Sequence, residues 1–169
     1  DVMGKTAFNT RLLGGFFLVL INLMTQPAQA DNAALEQVVT EHWQWSLENY
    51  PEMRLGYGDR SGNALWTDMS LAAQGTRQEA LKRFAQRLSV IEPADLSASN
   101  RLNRQMLLRE LDDEISAYDQ GLNLIAINMR SGPQHAHGMI ERLPFTTEQD
   151  YRDWLARLRA LPGQLTQYQ

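Results

Sequence analysis

The chain has 169 residues, 43% hydrophobic and 21% charged, with 16 Lys and Arg against 20 Asp and Glu and a net charge of −4. This is globular composition rather than that of a disordered or collagen-like chain, and the acidic balance gives no electrostatic reason to bind phosphate backbones, so nucleic acid is not an expected partner. With no cysteine there is no disulfide framework, thiolate nucleophile or Cys-ligated zinc, and a metal would draw on carboxylates and on His42, His135 and His137 alone.

Lys5 and Arg11 precede the apolar run Leu12 to Met24, and Ala28-Gln29-Ala30 follows. A positive start, an apolar middle and small residues before the cut are the order of a secretory signal peptide. Gly14, Gly15 and Asn22 interrupt the run, which is shorter than the roughly 20 residues a spanning helix needs. Residues 1–30 are therefore predicted to be a leader cleaved between Ala30 and Asp31, not a stable membrane anchor; Asp1 and Val2, ahead of the first Met, are read as extraneous. Residues 31–169 are then one helical unit, exported to the periplasm or beyond and stable by packing alone.

Four stretches carry apolar residues at helical spacing. In 32–50 these are Leu35, Val38, Val39, His42, Trp43, Leu47 and Tyr50, with Asp31 or Asn32 as the expected N-cap and Pro51 as the stop. In 77–91 they are Leu81, Phe84, Leu88 and Ile91, after a capping box from Thr76 and Glu79 and before Pro93. The third helix starts at Ser97 or Ser99, reaches at least Gln120, and repeats Leu102, Met106, Leu111, Ile115, Tyr118 and Leu122. The fourth opens at Thr146 or Thr147 with Glu148 and Asp150 in its first turn. Its expected buried stripe is Tyr151, Trp154, Leu155, Leu158 and Leu161, and Pro162-Gly163 is expected to bend or break it. Residues 51–75 and 123–145 read as two long irregular loops. The fold class is all-α, an antiparallel array of four to five helices.

Few residues point to chemistry. His135-Ala136-His137 with Glu141 is the only cluster with metal-ligand potential, but Pro133 and Gly138 argue for a loop, and no His-Glu-x-x-His occurs. A surface or substrate-facing loop is the reading for it. Asp112, Asp113 and Glu114 are adjacent and so point in different directions along a helix, a charged outer face rather than an acid–base pair. His42 beside Trp43 and Trp45 reads as packing. Gly56-Tyr57-Gly58-Asp59 lacks a following Gly-Lys-Ser/Thr, and its glycines fit a tight turn. There is no Gly-x-Ser-x-Gly elbow.

The residue order Trp45, Leu47, Tyr50-Pro51-Glu52, Gly56, Gly58-Asp59, Asn63, Leu65, Trp66, Asp68 resembles the start of a bacterial exported family, the domain-of-unknown-function 885 family. Leu88, Ile91, Leu96, Asn100-Arg101-Leu102-Asn103 and Leu107 continue the likeness. So do Gly132-Pro133, Leu143-Pro144-Phe145, Thr147, Asp150-Tyr151, Trp154-Leu155, Arg157-Leu158 and Leu161-Pro162. The resemblance implies a larger helical fold whose later portion carries a His-Glu-x-x-Pro-Gly-His segment and resembles zinc-dependent peptidases. There, two imidazoles and a carboxylate hold zinc and the motif Glu activates water.

That motif is absent here, so the resemblance assigns no catalytic residue, metal ligand or cofactor to this chain. It implies zinc for full-length relatives, a C-terminal catalytic half as partner, and peptides as substrates. This chain would supply scaffold or cleft-rim helices, with Tyr57, Asp59, His135 and His137 as its substrate-facing residues. The alternative is a self-contained periplasmic binding or chaperone-like module, with Trp43, Trp45, Trp66 and Trp154 as apolar contacts.

Overall fold

The structure is a computed structural model that describes residues 13–125, 127, 129 and 132–168, with side chains from Asp31 onward. Lys5 and Arg11 of the expected leader lie outside the described residues. Among the described residues there are five α-helices, joined by turns and 3-10 segments and with no strand: α1 Leu13–Asn49, α2 Pro51–Gly56, α3 Leu71–Ser89, α4 Ala98–Asp119 and α5 Glu148–Thr166. The fold is all-α, as expected. No described helix is long and apolar enough to cross a membrane.

α1 passes through Asp31 and Asn32 without a cap there. Asn32 serves another helix instead: its Oδ1 accepts from the Ser97 N–H at 3.1 Å and from Asn100 Nδ2 at 2.8 Å, at the start of α4. Pro51 both stops α1 and opens α2, where its missing N–H costs nothing. α3 begins ahead of Thr76, at Leu71, because Ser70 Oγ accepts from the Ala73 N–H. The Thr76 hydroxyl is spent within the helix, donating to Ala72 O at 3.0 Å. Ser97 caps α4, and Thr147 caps α5 in a capping box with Asp150.

α1, α3 and α4 make the core: Leu35, Val38, Leu81, Phe84, Leu88, Ile91, Leu96, Leu107 and Leu111 are buried together. Cross-helix pairs give the directions. Glu41 meets Arg87 while Tyr50 meets Arg77, so α1 and α3 are antiparallel. Leu88 O accepts from Arg104 Nε while Gln78 reaches Ile115 O and Asp119, so α3 and α4 are antiparallel too.

The stripe read on α3 is buried throughout, but the others are corrected, on α1 at Val39, which is exposed. On α4, Leu111 is buried as read, but Leu102 and Met106 are exposed, Leu122 beyond its end is exposed as well, and Leu107 is turned inward instead. On α5, Tyr151, Leu155 and Leu158 are exposed, and the buried residues are Asp150, Arg157 and Gln164, seven apart on one face. α5 docks through polar groups: Arg60 pairs with Asp150 at 3.2 Å, Trp66 Nε1 donates to Arg157 O at 2.8 Å, and Arg157 donates to Gly62 O.

Pro162 does not end α5, which runs on to Thr166. Pro162 removes the donor for the Leu158 carbonyl on an exposed side of the helix, where water can replace it. The supposed loops are also partly ordered into helix. Residues 51–75 hold α2 and a 3-10 turn at Arg60–Gly62, and Pro133 opens a 3-10 segment over Pro133–Arg142. Gly62 packs against the start of α2, where a Cβ would lie 2.4 Å from Pro51 O.

Candidate functional site

Two cavities share the side chains of Tyr50 and Met69. The first, about 390 Å³, is walled by Trp66, Thr67, Met139 and Leu161, with His135, Glu52 and Gln164 at its edge. Each of these is placed by a local device. Both carboxylate oxygens of Glu52 accept from Thr67, one from its N–H at 2.8 Å and one from its hydroxyl. Trp66 is pinned by its bond to Arg157 O, and the Arg157 guanidinium lies 5.0 Å from the ring centroid. Burial pulls Arg157 below its ordinary range, and Glu52 pushes it back up. An apolar cavity with a few placed polar groups is the usual form of a small-ligand or side-chain pocket.

The second cavity, about 320 Å³, lies between α3 and α4 and is lined by Arg77, Gln74, Gln78, Leu81, Glu114 and Leu122 among others. Arg77 is 7% exposed, and its guanidinium stands 5.4 Å from the Tyr50 ring centroid. Gln78 donates to Ile115 O and to Asp119 and leaves its own Oε1 without a partner. Burial raises the Tyr50 hydroxyl above its ordinary range. Desolvation and then repulsion from Glu110 raise Glu114.

Of the four residues expected to face substrate, His135 and His137 come together at one hollow, while Tyr57 and Asp59 stand elsewhere. His135 borders the Trp66 cavity. His137 lies on the same 3-10 segment, and the two histidines together border a second hollow with Glu141 and Arg142; His137 Nδ1 sits 2.9 Å from Gln134 O. Tyr57 is exposed and packs edge-on against Trp43 at 4.7 Å. Asp59 accepts from the Ser61 N–H and pairs with Arg54 at 2.9 Å, and the Ser61 bonds followed by Arg54 hold its carboxyl below the usual range. Ala30, on the leader side of the expected cut, carries no described side chain, and Asp31 lies inside α1. His42 is a packing residue between Trp45 and Phe84.

The zinc implied by the resemblance has no cradle here: among the described residues no three His, Asp or Glu side chains come together to hold a metal ion. Sequence reasoning missed Arg77, Arg157 and Gln164 as inward residues. The available signal was position: Gln74, Gln78 and Leu81 share one face of α3, three to four apart.

No curated protein matches the chain. The pattern of one family does, over residues 51–169, which hold α2 to α5 and, apart from Tyr50, the lining of both cavities. The chain belongs to that family, described as bacterial protein of unknown function (DUF885).

Proposed function

We propose that this chain is the substrate-facing helical part of an exported, zinc-peptidase-like protein. It supplies cleft-wall helices and a pocket for a peptide side chain, while zinc and the water-activating carboxylate belong to the His-Glu motif of a catalytic half. The observation that carries the reading is the Trp66 cavity, about 390 Å³ and walled by Trp66, Met139 and Leu161, with the exposed His135 at its edge. An indole wall and thioether surfaces favour an aromatic or long aliphatic side chain. The exposed Leu102 and Met106 on α4 and Leu155 and Leu158 on α5 offer apolar surface to further protein.

The chaperone-like alternative has less support, because three of its four tryptophans have separate partners. Trp43 packs on Tyr57, Trp45 on Phe84, and Trp66 on Arg157.

The test is a titration of the chain with peptides bearing one central Phe or Leu. Binding that weakens about tenfold in Trp66→Ala, the loss of an aromatic wall, and that disappears when the central residue is Asp, supports the reading. Chelator-sensitive peptide hydrolysis by this chain alone would overturn it. Export is checked by sequencing secreted material, which should begin at Asp31.

A further inference from the structure

Arg77 is a buried charge with no ion pair among the described residues. It is 7% exposed, yet no carboxylate stands within ion-pair distance of it. Its stack on Tyr50 offsets part of the cost of desolvation. An anion beside it would offset the rest, because removing a cation's hydration costs several kcal/mol. Arg77 lines an open cavity of about 320 Å³ rather than packed core.

The same cavity supplies the opposite charge. Glu114, on α4, borders it, is exposed to solvent, and makes no ion pair among the described residues. Met69, Leu81 and Leu122 give the same cavity apolar wall, beside the polar Gln74, Gln78 and Asn123. A cation on one helix, a carboxylate on the facing helix and hydrocarbon in the same cavity match a molecule with both charges and a greasy body.

We propose that the cavity between α3 and α4 binds a small apolar zwitterion, an amino acid or dipeptide, with its carboxylate on Arg77, its ammonium on Glu114 and its side chain against Met69, Leu81 and Leu122. Arg suits the first role because its planar fork holds a carboxylate through two parallel bonds. The site shares Tyr50 and Met69 with the peptide pocket but can be tested apart from it, because neither Trp66 nor His135 borders it.

The experiment is calorimetric titration of the full chain with leucine, leucyl-leucine, N-acetyl-leucine and leucinamide. Leucine or leucyl-leucine should bind, and whichever binds tighter fixes the length of the ligand. Blocking either terminus should weaken binding about tenfold or more, the loss of one charged hydrogen bond. Arg77→Met should abolish zwitterion binding without lowering the melting temperature, since it removes a charge that lacks an anion. Glu114→Gln should weaken leucine while leaving the residual affinity of N-acetyl-leucine unchanged. Equal affinity for leucine and N-acetyl-leucine would reduce the site to a plain anion site and overturn the proposal. So would absence of binding at tens of millimolar, or an Arg77→Met chain that melts earlier or does not fold, which would make Arg77 a structural residue. Failure of the Trp66→Ala peptide test leaves these outcomes untouched.

Discussion

Trp66 and Arg157 hold each other twice. The indole Nε1 donates to the Arg157 carbonyl at 2.8 Å, and the Arg157 guanidinium lies 5.0 Å from the indole ring centroid. Arg157 is also fully buried, donates to Gly62 O and contacts Met139 Sδ, with its Nε unpartnered. One side chain thus ties α5 to the 3-10 turn before Trp66 and to the Pro133–Arg142 segment. Arg157→Ala is expected to destabilise the chain by about 3 kcal/mol, from the lost packing and the emptied volume. Trp66→Phe, which keeps the ring but not the N–H, should cost about 1 kcal/mol. Urea unfolding measures both, and equal losses would deny Arg157 its separate ties.

Gly62 leaves no room for a side chain. A Cβ would sit 2.4 Å from Pro51 O and 3.1 Å from Arg54 Cδ. The arginine stem can move, but the carbonyl belongs to the first turn of α2 and cannot move without it. Gly62→Ala should therefore cost roughly 1–3 kcal/mol, the range of an overpacked site, and displace α2 from the turn. An unchanged urea midpoint would show the contact to be loose.

Acid should act on His42 first. Burial lowers its pKa below the ordinary 6.5, against a smaller upward push from Glu110. The unfolded chain therefore takes up a proton before the folded one does. The stability contributed by neutral His42 is present above pH 6.5 and is lost as pH falls through the lower folded value. His42→Gln should flatten the stability profile in that window. Asp150 acts lower down. Burial raises its carboxyl, but bonds from Thr147 and Thr146 and the charge of Arg60 outweigh that and leave it below 3.8. Its contribution is present above that value and lost as pH drops further. Thermal melts in steps from pH 7 to pH 3 separate the two, and a wild-type profile flat between pH 7 and 5 would contradict the first.

Pro162 sits inside a helix that continues to Thr166. Because the ring removes a donor and crowds the carbonyl four residues back, Pro162→Ala should raise stability by about 1–3 kcal/mol. A lower melting temperature would mean that the proline bend is used for docking.

How much of this was legible depends on what the buried faces are made of. Leu81, Phe84, Leu88 and Ile91 are apolar at helical spacing, and periodicity finds such a face directly. Asp150, Arg157 and Gln164 repeat every seven residues on α5 but carry no apolar signal, so periodicity points instead to Tyr151, Leu155 and Leu158, which face outward. Leu102 and Met106 on α4 misled in the same way. At the cavities, a histidine attracts notice by its type, and His135 does border one. Arg77 could not be found that way. Lys and Arg on helices are mostly exposed, and only the packing of α3 against α4 and Tyr50 makes this one buried.

The polar seam under α5 has a mechanical consequence. Directional bonds such as Arg60 to Asp150 and Arg157 to Gly62 O vanish together once the rod tilts, and few greasy contacts resist its departure, whereas prying α3 from α4 would drown leucines. Amide protons of Glu148–Thr166 should trade with deuterated solvent well ahead of those in the triple-helix nucleus, through a partial opening that leaves the nucleus closed.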